Sequence, residues 1–331
     1  MKTKATTYST IRRYTTYMCS MMCCIMLSTL TACQEDERFG NTCEVKVRLF
    51  SKEHVEVTRT GETYQPLSET DLSNATVGLY VAKREQQSLY PLTWNVTTQG
   101  TNIHLEKDSY TLYAYMPQRE GTTLTNATSS VNASLTFTVI PGLGSEDIMV
   151  SQAADITVES TPQTVALNMD HLLARITLSF TINADYDKLR TIKIKQIDFS
   201  LPENINTYNP TITYGAPSRT IAWGSPSSLS TKTYTIYKGE QILSTEATTI
   251  GVCYVVPSQN IESLTMKVTY DVYDKSGVCT RRDATATNLV KTLPSTLVAG
   301  TNYTLNIQVI PTYLYVLSDN DQGSSLVIPN D

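Results

Sequence analysis

The fold class is clearest in residues 109–116, Ser-Tyr-Thr-Leu-Tyr-Ala-Tyr-Met. Tyr110, Leu112, Ala114 and Met116 occupy every second position, and alternation with a period of two is typical of a β-strand that buries one face. Turn residues such as Gly, Pro, Asn and Asp separate many similar runs, so the sequence predicts an all-β protein. The other predicted strands are residues 43–50, 75–82, 92–96, 103–105, 134–140, 165–169, 172–182, 193–201, 211–213, 232–237, 248–256, 263–273 and 302–309.

The composition agrees with an all-β fold. The 331 residues include 51 Thr and 20 Tyr but 5 Phe, and Thr and Tyr suit half-buried pleated surfaces better than helix interiors. The predicted strands are too many for one sheet, and the length corresponds to about two domains. We therefore predict two tandem β-sandwich domains, at residues 43–165 and 166–331, with a Thr-Pro-Gln stretch at their boundary.

The amino terminus has the layout of a secretory signal. Arg12 and Arg13 precede an apolar run at residues 18–30, and small residues follow it. This run is shorter than the roughly 20 apolar residues that a membrane-spanning helix requires. We therefore predict that residues 1–32 are a signal peptide.

Residues 30–33, Leu-Thr-Ala-Cys, resemble the lipobox of bacterial lipoproteins. In such proteins cleavage occurs before the Cys, which is acylated, so we predict lipidation of Cys33 and attachment to the outer membrane through this anchor. An ordinary signal peptide with a chance Cys is the alternative. Residues 33–42 then form an acidic tether, which either indicates display on the outer cell surface or is only a solvated linker.

The charge and the cysteines narrow the possible functions. The net charge is −5 and no block of Lys or Arg occurs, so the sequence disfavours nucleic-acid binding. Cys43, Cys253 and Cys279 lack the spacing of a zinc site. Cys253 and Cys279 could form a disulfide if their strands are neighbours in an oxidising compartment, and buried free thiols are the alternative.

No motif indicates catalysis or a cofactor. His54, His104 and His171 lie at unrelated points of the sequence, and none of the zinc-protease, nucleophile-elbow or phosphate-loop patterns occurs. We predict no catalytic residue, metal ligand or cofactor, although a triad dispersed along the chain stays open. The adjacent Asp170 and His171 are expected to form a local structural hydrogen bond.

Four features in order along the chain carry a family resemblance. They are Cys33 with its acidic tether, followed by a strand, Thr-Arg-Thr at 58–60 and Val-Gly-Leu-Tyr-Val at 77–81; Asp-Ser-Tyr-Thr-Leu-Tyr-Ala-Tyr-Met-Pro at 108–117; Glu-Asp-Ile-Met-Val-Ser at 146–151 with His-Leu-Leu-Ala-Arg at 171–175; and Gly-Thr-Asn-Tyr at 300–303. Together they resemble the fimbrillin family of lipoprotein pilins, the subunits of type V fimbriae. The resemblance covers essentially all of the chain after the signal peptide.

The resemblance implies two transthyretin-like β-sandwiches and a structural, non-enzymatic role in adhesion. The chain would assemble with other fimbrial subunits by strand exchange, after a protease has removed the first strand. Arg59 is the candidate cleavage site, residues 43–50 are the candidate removable strand, and the carboxyl-terminal segment at 312–331 is the candidate donor. That segment lacks the Trp that many family members carry.

Alternative functions remain open from the sequence. The protein could be a fimbrial anchor or tip subunit that is never trimmed. It could also be a carbohydrate-binding surface lipoprotein, which should present exposed aromatic side chains together on one face. A hydrolase would require a His or Ser against a carboxylate in a concave pocket.

Overall fold

The computed structural model describes residues 42–56, 63–67, 76–83, 86–93, 100–127, 132–215, 218–229 and 231–309. Almost all regular structure in these ranges is β-strand, which confirms the all-β prediction. None of the described helical segments is long and apolar enough to cross a membrane.

The described ranges contain 25 strands and one short helix. The strands up to residue 171 are β1 (Thr42–Ser51), β2 (Val55–Glu56), β3 (Gln65–Pro66), β4 (Thr76–Lys83), β5 (Gln86–Thr93), β6 (Thr101–Glu106), β7 (Ser109–Met116), β8 (Thr123–Thr125), β9 (Ser134–Thr136), β10 (Ile140–Pro141), β11 (Leu143–Gly144), β12 (Met149–Ser151), β13 (Ala154–Thr157) and β14 (Gln163–His171). The later elements are β15 (Ala174–Ile182), α1 (Ala184–Asp187), β16 (Arg190–Ser200), β17 (Asn206–Tyr208), β18 (Thr211–Thr213), β19 (Thr220–Ala222), β20 (Ser227–Ser228), β21 (Thr233–Ile242), β22 (Thr248–Val255), β23 (Thr265–Asp274), β24 (Cys279–Leu289) and β25 (Thr301–Val309).

A nine-stranded sheet organises the first half of the chain. Its strand order is β3-β1-β14-β12-β7-β4-β5, with β6 also paired to β1 and β13 also paired to β7. The pair β1–β14 is parallel, whereas β1 is antiparallel to β3 and β6. Alternate residues of these strands enter one shared apolar core, which we call the first core. Its members include Val45, Val47, Leu49, Val77, Leu79, Val81, Ile103, Leu105, Leu112, Ala114, Val165, Leu167 and Met169.

Two sheets face each other in the second half of the chain. The five-stranded sheet has the order β11-β22-β15-β25-β2, and the four-stranded sheet has the order β21-β16-β23-β24. Side chains from both sheets meet in a second core, as in a β-sandwich. This second core includes Ile176, Leu178, Phe180, Cys253, Leu305, Ile307, Ile192, Ile194, Phe199, Met266, Val268 and Tyr270.

A third core joins residues from both halves of the chain. Tyr113 and Tyr115 of β7 pack with residues of the second half such as Leu172, Tyr214 and Val256. Two small sheets support it, because β9 pairs with β18 and β10 pairs with β17. Both faces of β7 are therefore buried, whereas its alternation predicted a strand that buries one face. The reason is a second layer, which local alternation cannot reveal.

The predicted division at residues 165 and 166 cuts through one strand. β14 runs across it and pairs with β1 and β12 of the first sheet, so the strand predicted at 165–169 belongs to the first half. The chain changes sheets after His171, and β15 then enters the five-stranded sheet. Because β11 also pairs with β22, segments of one half extend into the other.

Candidate functional site

The first strand, β1, occupies an inner position in its sheet. Residues 45–51 of β1 pair with β14 on one side, and residues 42–47 pair with β6 on the other. Val45 and Val47 are 0% exposed, so the predicted alternation of this strand is confirmed. Val45 pairs with Ile103 of β6 and Val47 with Val165 of β14, and all four side chains belong to the first core. β1 is thus held by hydrogen bonds along both edges and by apolar contacts on one face.

The chain after β1 crosses to the second half. Val55 donates a backbone hydrogen bond of 2.9 Å to Gly300, and β2 runs parallel to the start of β25. The Asn302 side-chain amide donates to Glu56, and Asn302 itself is 2% exposed. The segment 42–56 therefore contacts both halves within fifteen residues.

Three chemically active side chains meet at this crossing. His54, in the loop between β1 and β2, packs against His171 with a ring-centroid distance of 3.8 Å and the two rings tilted by 37°. Asp147, just before β12, places Oδ2 2.6 Å from His171 Nδ1 and 4.0 Å from His54 Nε2. His171 Nε2 donates to the Lys52 carbonyl oxygen at 2.7 Å, since that oxygen can only accept. We call His54, Asp147 and His171 the junction cluster.

The two histidines of the junction cluster have opposite pKa shifts. Burial, together with the charges of His171 and Arg175, lowers the pKa of His54 to about 3. Burial also lowers the pKa of His171, but the hydrogen bond and negative charge of Asp147 outweigh it, so the net shift is upward. His54 is therefore neutral near pH 7, with His171 beside it as the more basic ring.

The junction cluster bears on two sequence-based expectations. His54 and His171 are far apart in the sequence and share no motif, but the fold brings their rings into contact. His171 bonds to Asp147 and not to the adjacent Asp170. Neighbouring residues of a strand project to opposite sides, so Asp170 points away and instead accepts from Tyr64 at 2.5 Å and Arg219 at 2.9 Å. His104 is exposed on β6, outside the cluster. Sequence patterns offered no signal for this cluster, because its residues come from three distant segments.

Of the two alternatives that the sequence leaves open for Cys253 and Cys279, the structure has the free thiols. Cys43, Cys253 and Cys279 are all free thiols. Cys253 lies on β22 of the five-stranded sheet and Cys279 on β24 of the opposite sheet, so the two strands are not neighbours. Burial strongly raises the pKa of the Cys253 thiol, which keeps it protonated and unreactive.

The other predicted sites lie outside the described residues. These are the lipidation site Cys33, the candidate cleavage site Arg59 and the candidate donor segment 312–331. The described residues end at Glu56 on the amino-terminal side of Arg59, and at Val309 before the donor segment.

A hydrolase would need a His or Ser against a carboxylate in a concave pocket, and a carbohydrate-binding protein would need exposed aromatic side chains on one face. A cavity of about 360 Å³ lies between the halves and is lined by Arg119, Glu146, Leu173 and Tyr234 among others, but not by the junction cluster. Arg119 and Glu146 form an ion pair at its wall. In the described ranges every Phe, Tyr and Trp whose side chain is characterised is buried or half-buried.

Comparison with known proteins identifies the family. The profile of the family described as Fimbrillin-like matches residues 53–325. No curated protein matches the sequence. Among solved structures, a fimbrial protein from Bacteroides vulgatus ATCC 8482 has 15% identity and a TM-score of 0.44, over 81% of this chain and 95% of that chain. A proposed cell adhesion protein from Bacteroides fragilis NCTC 9343 has 13% identity and a TM-score of 0.43, over 85% and 100% of the two chains. Such low structural similarity carries no argument about function, but the profile match spans most of the sequence, and on that basis the chain belongs to the fimbrillin-like family.

Proposed function

We propose that this protein is a structural subunit of surface fimbriae that joins its neighbours by strand exchange. Family membership supports a fimbrial, adhesion-type role at the cell surface. The observation that carries the finer proposal is the position of β1, the first described strand, which is paired along both edges. A strand that precedes every other described element can be removed without cutting any other described element of its sheet.

Removal of β1 would leave a groove that needs a new strand. Its two walls, β14 and β6, would each expose a row of unpaired backbone N–H and C=O groups. Its floor would lose the contacts of Val45, Val47 and Leu49, and each such side chain contributes about 1.5–3 kcal/mol by its burial. A strand from another subunit could restore both the hydrogen bonds and the apolar contacts by β-augmentation.

Arg59 is the cleavage site in this proposal, and residues 312–331 supply the strand. A cut after Arg59 would release β1, His54 and β2 together, because no described element other than these precedes it. The donor segment follows β25 after residue 309, so its loss would remove no residue of the three described cores.

Lipidation of Cys33 is the proposed means by which the precursor is held at the outer membrane. Acyl chains contribute about 0.8 kcal/mol per buried CH₂, so two or more chains suffice for stable attachment. In the variant Cys33→Ser, lipid labelling should be lost and the protein should leave the membrane fraction. Unchanged membrane retention would contradict the anchor.

Size-exclusion chromatography of three forms tests strand exchange. The uncut protein should be monomeric, the protein cut after Arg59 should form higher oligomers, and cut protein lacking residues 312–331 should stay monomeric. Arg59→Ala is the matched control, since it should resist the same protease and remain monomeric. Strand exchange is wrong if the cut protein stays monomeric or if the truncated, cut protein still grows. The untrimmed anchor subunit would then be the better description.

A further inference from the structure

The junction cluster has the composition of a metal site. His54, Asp147 and His171 each offer one ligand atom, and the three atoms all lie within 4.8 Å of one another. They come from three separate segments: the loop between β1 and β2, the residues before β12, and the end of β14. Two imidazoles and one carboxylate are a common ligand set for zinc and related divalent ions.

His54 presents a buried nitrogen with no partner. Its side chain is 2% exposed, and Nε2 has no hydrogen-bond partner among the described residues. Because Nε2 has no partner, we assign the hydrogen bond between the ring and the Leu173 backbone to Nδ1. A neutral imidazole that donates through Nδ1 carries a lone pair on Nε2. That lone pair faces Asp147 Oδ2, 4.0 Å away, so two electron-rich atoms confront each other across a space that a cation would fill.

His171 is oriented as metal-binding histidines usually are. Its Nε2 donates to the Lys52 carbonyl oxygen, which fixes the ring and leaves Nδ1 directed at Asp147. Histidine ligands typically donate their second N–H to a carbonyl or carboxylate in this way. When no ion is bound, a proton on Nδ1 can bridge to Asp147 instead.

We propose that His54 Nε2, His171 Nδ1 and Asp147 Oδ2 bind one divalent transition-metal ion, of which zinc is the best fit to this ligand set. Three protein ligands leave a fourth position for water. Binding displaces the proton on His171 Nδ1, which is released to solvent. Arg175 lies close enough to influence both histidines, and its positive charge opposes a cation. We therefore expect a modest affinity.

Metal binding has a consequence that rests on the proposed function. His54 belongs to the segment that a cut after Arg59 would release, whereas Asp147 and His171 stay with the body of the protein. A bound ion would then hold the removable segment against the body of the protein, and trimming would remove one of the three ligands of the ion. The binding test below uses uncut protein, so it can fail or succeed independently of strand exchange.

Zinc and cobalt binding to the full, uncut chain tests the site. After treatment with chelator, the wild-type protein should bind about one Zn²⁺ per chain, and Co²⁺ should produce the visible absorption bands of a tetrahedral or five-coordinate site. His54→Ala and Asp147→Asn should weaken binding by roughly tenfold or more. His104→Ala, which removes an exposed histidine from β6, is the matched control and should bind like wild type.

Two results would overturn the proposal. The first is wild-type protein that binds neither ion, and the second is folded His54→Ala protein with unchanged affinity. If the variants do not fold, X-ray absorption of zinc-loaded wild-type protein decides the question. Imidazole and oxygen ligation supports the junction cluster, whereas thiolate ligation contradicts it.

Discussion

The two halves of the molecule differ in how a strand of a parallel pair is flanked on its other side. Each contains a parallel strand pair, β1–β14 in the first half and β15–β25 in the second. β1 is paired on both sides, by β14 and by β6. β25 is paired with β15 along its length, but on its other side the described residues pair with it only through β2, at Thr301 and Asn302.

This difference shows where strand exchange is physically reasonable. Loss of β1 would open two strand edges and an apolar groove, and one incoming strand could close both edges at once. Loss of β25 would open only the edge of β15 along most of its length, because β2 contributes two residues. Removal of a strand would therefore leave a gap with two walls in the first half, and the predictions below test that contrast.

The largest expected effect is rescue of trimmed protein by its own first strand. A synthetic peptide with the sequence of residues 42–51, added in excess to protein cut after Arg59, should occupy the groove and keep most of the protein monomeric. A peptide with Ser in place of Val45, Val47 and Leu49 is the control and should not act, because it lacks the buried face. Size-exclusion profiles measure the outcome. If oligomers form equally with both peptides, the buried face of β1 does not decide which strand occupies the groove.

The next effect is a core substitution in each half. Phe180→Ala in β15 should destabilise the uncut protein by about 3–5 kcal/mol and Leu49→Ala in β1 by about 2–5 kcal/mol, since both side chains are buried. After a cut at Arg59 and removal of the released segment, only Phe180→Ala should still destabilise. Urea unfolding measures both free energies. A persistent effect of Leu49→Ala would mean that the cut segment stays bound.

A smaller effect is expected at Arg219, a residue of the second half that hydrogen-bonds to the nine-stranded sheet. Arg219 donates to Asp170 of β14 and to the backbone carbonyl of Val150 in β12. Because the Arg219 side chain is 9% exposed, Arg219→Ala should cost about 1–3 kcal/mol. Arg281→Ala on the exposed strand β24 is the matched control, with an expected change within about 0.5 kcal/mol. Thermal unfolding of the two variants compares them, and equal midpoints would contradict a role for Arg219.

The smallest effect concerns the crossing from β1 to β25. Glu56→Ala removes an acceptor of the buried Asn302 amide, which retains a bond to Thr304, so the expected cost is about 0.5–1.5 kcal/mol. In trimmed protein Glu56 is absent, so the substitution should then have no effect. Urea unfolding before and after trimming gives both values, and a cost that survives trimming would show that the released segment stays bound.

Alternation was sufficient to predict most of the long strands. The strand predicted at 109–116 is β7 within its exact bounds, and the one predicted at 43–50 is β1 with one more residue at each end. β24 was missed because Ala284 and Ala286 are its only buried residues, and such small side chains leave a weak pattern. The candidate metal site could not be predicted, since no local spacing connects its residues.

The sequence by itself determined the all-β class and the buried face of strands such as β1, because a period of two is a property of neighbouring residues in one extended segment. Only the tertiary structure decided that β14 belongs with β1, that both faces of β7 are buried, and that His54 meets His171. Lys52 and His171 are 119 positions apart and yet share a hydrogen bond. Contacts of that kind depend on how whole sheets pack and where the chain crosses between them, and no local pattern of residues encodes either.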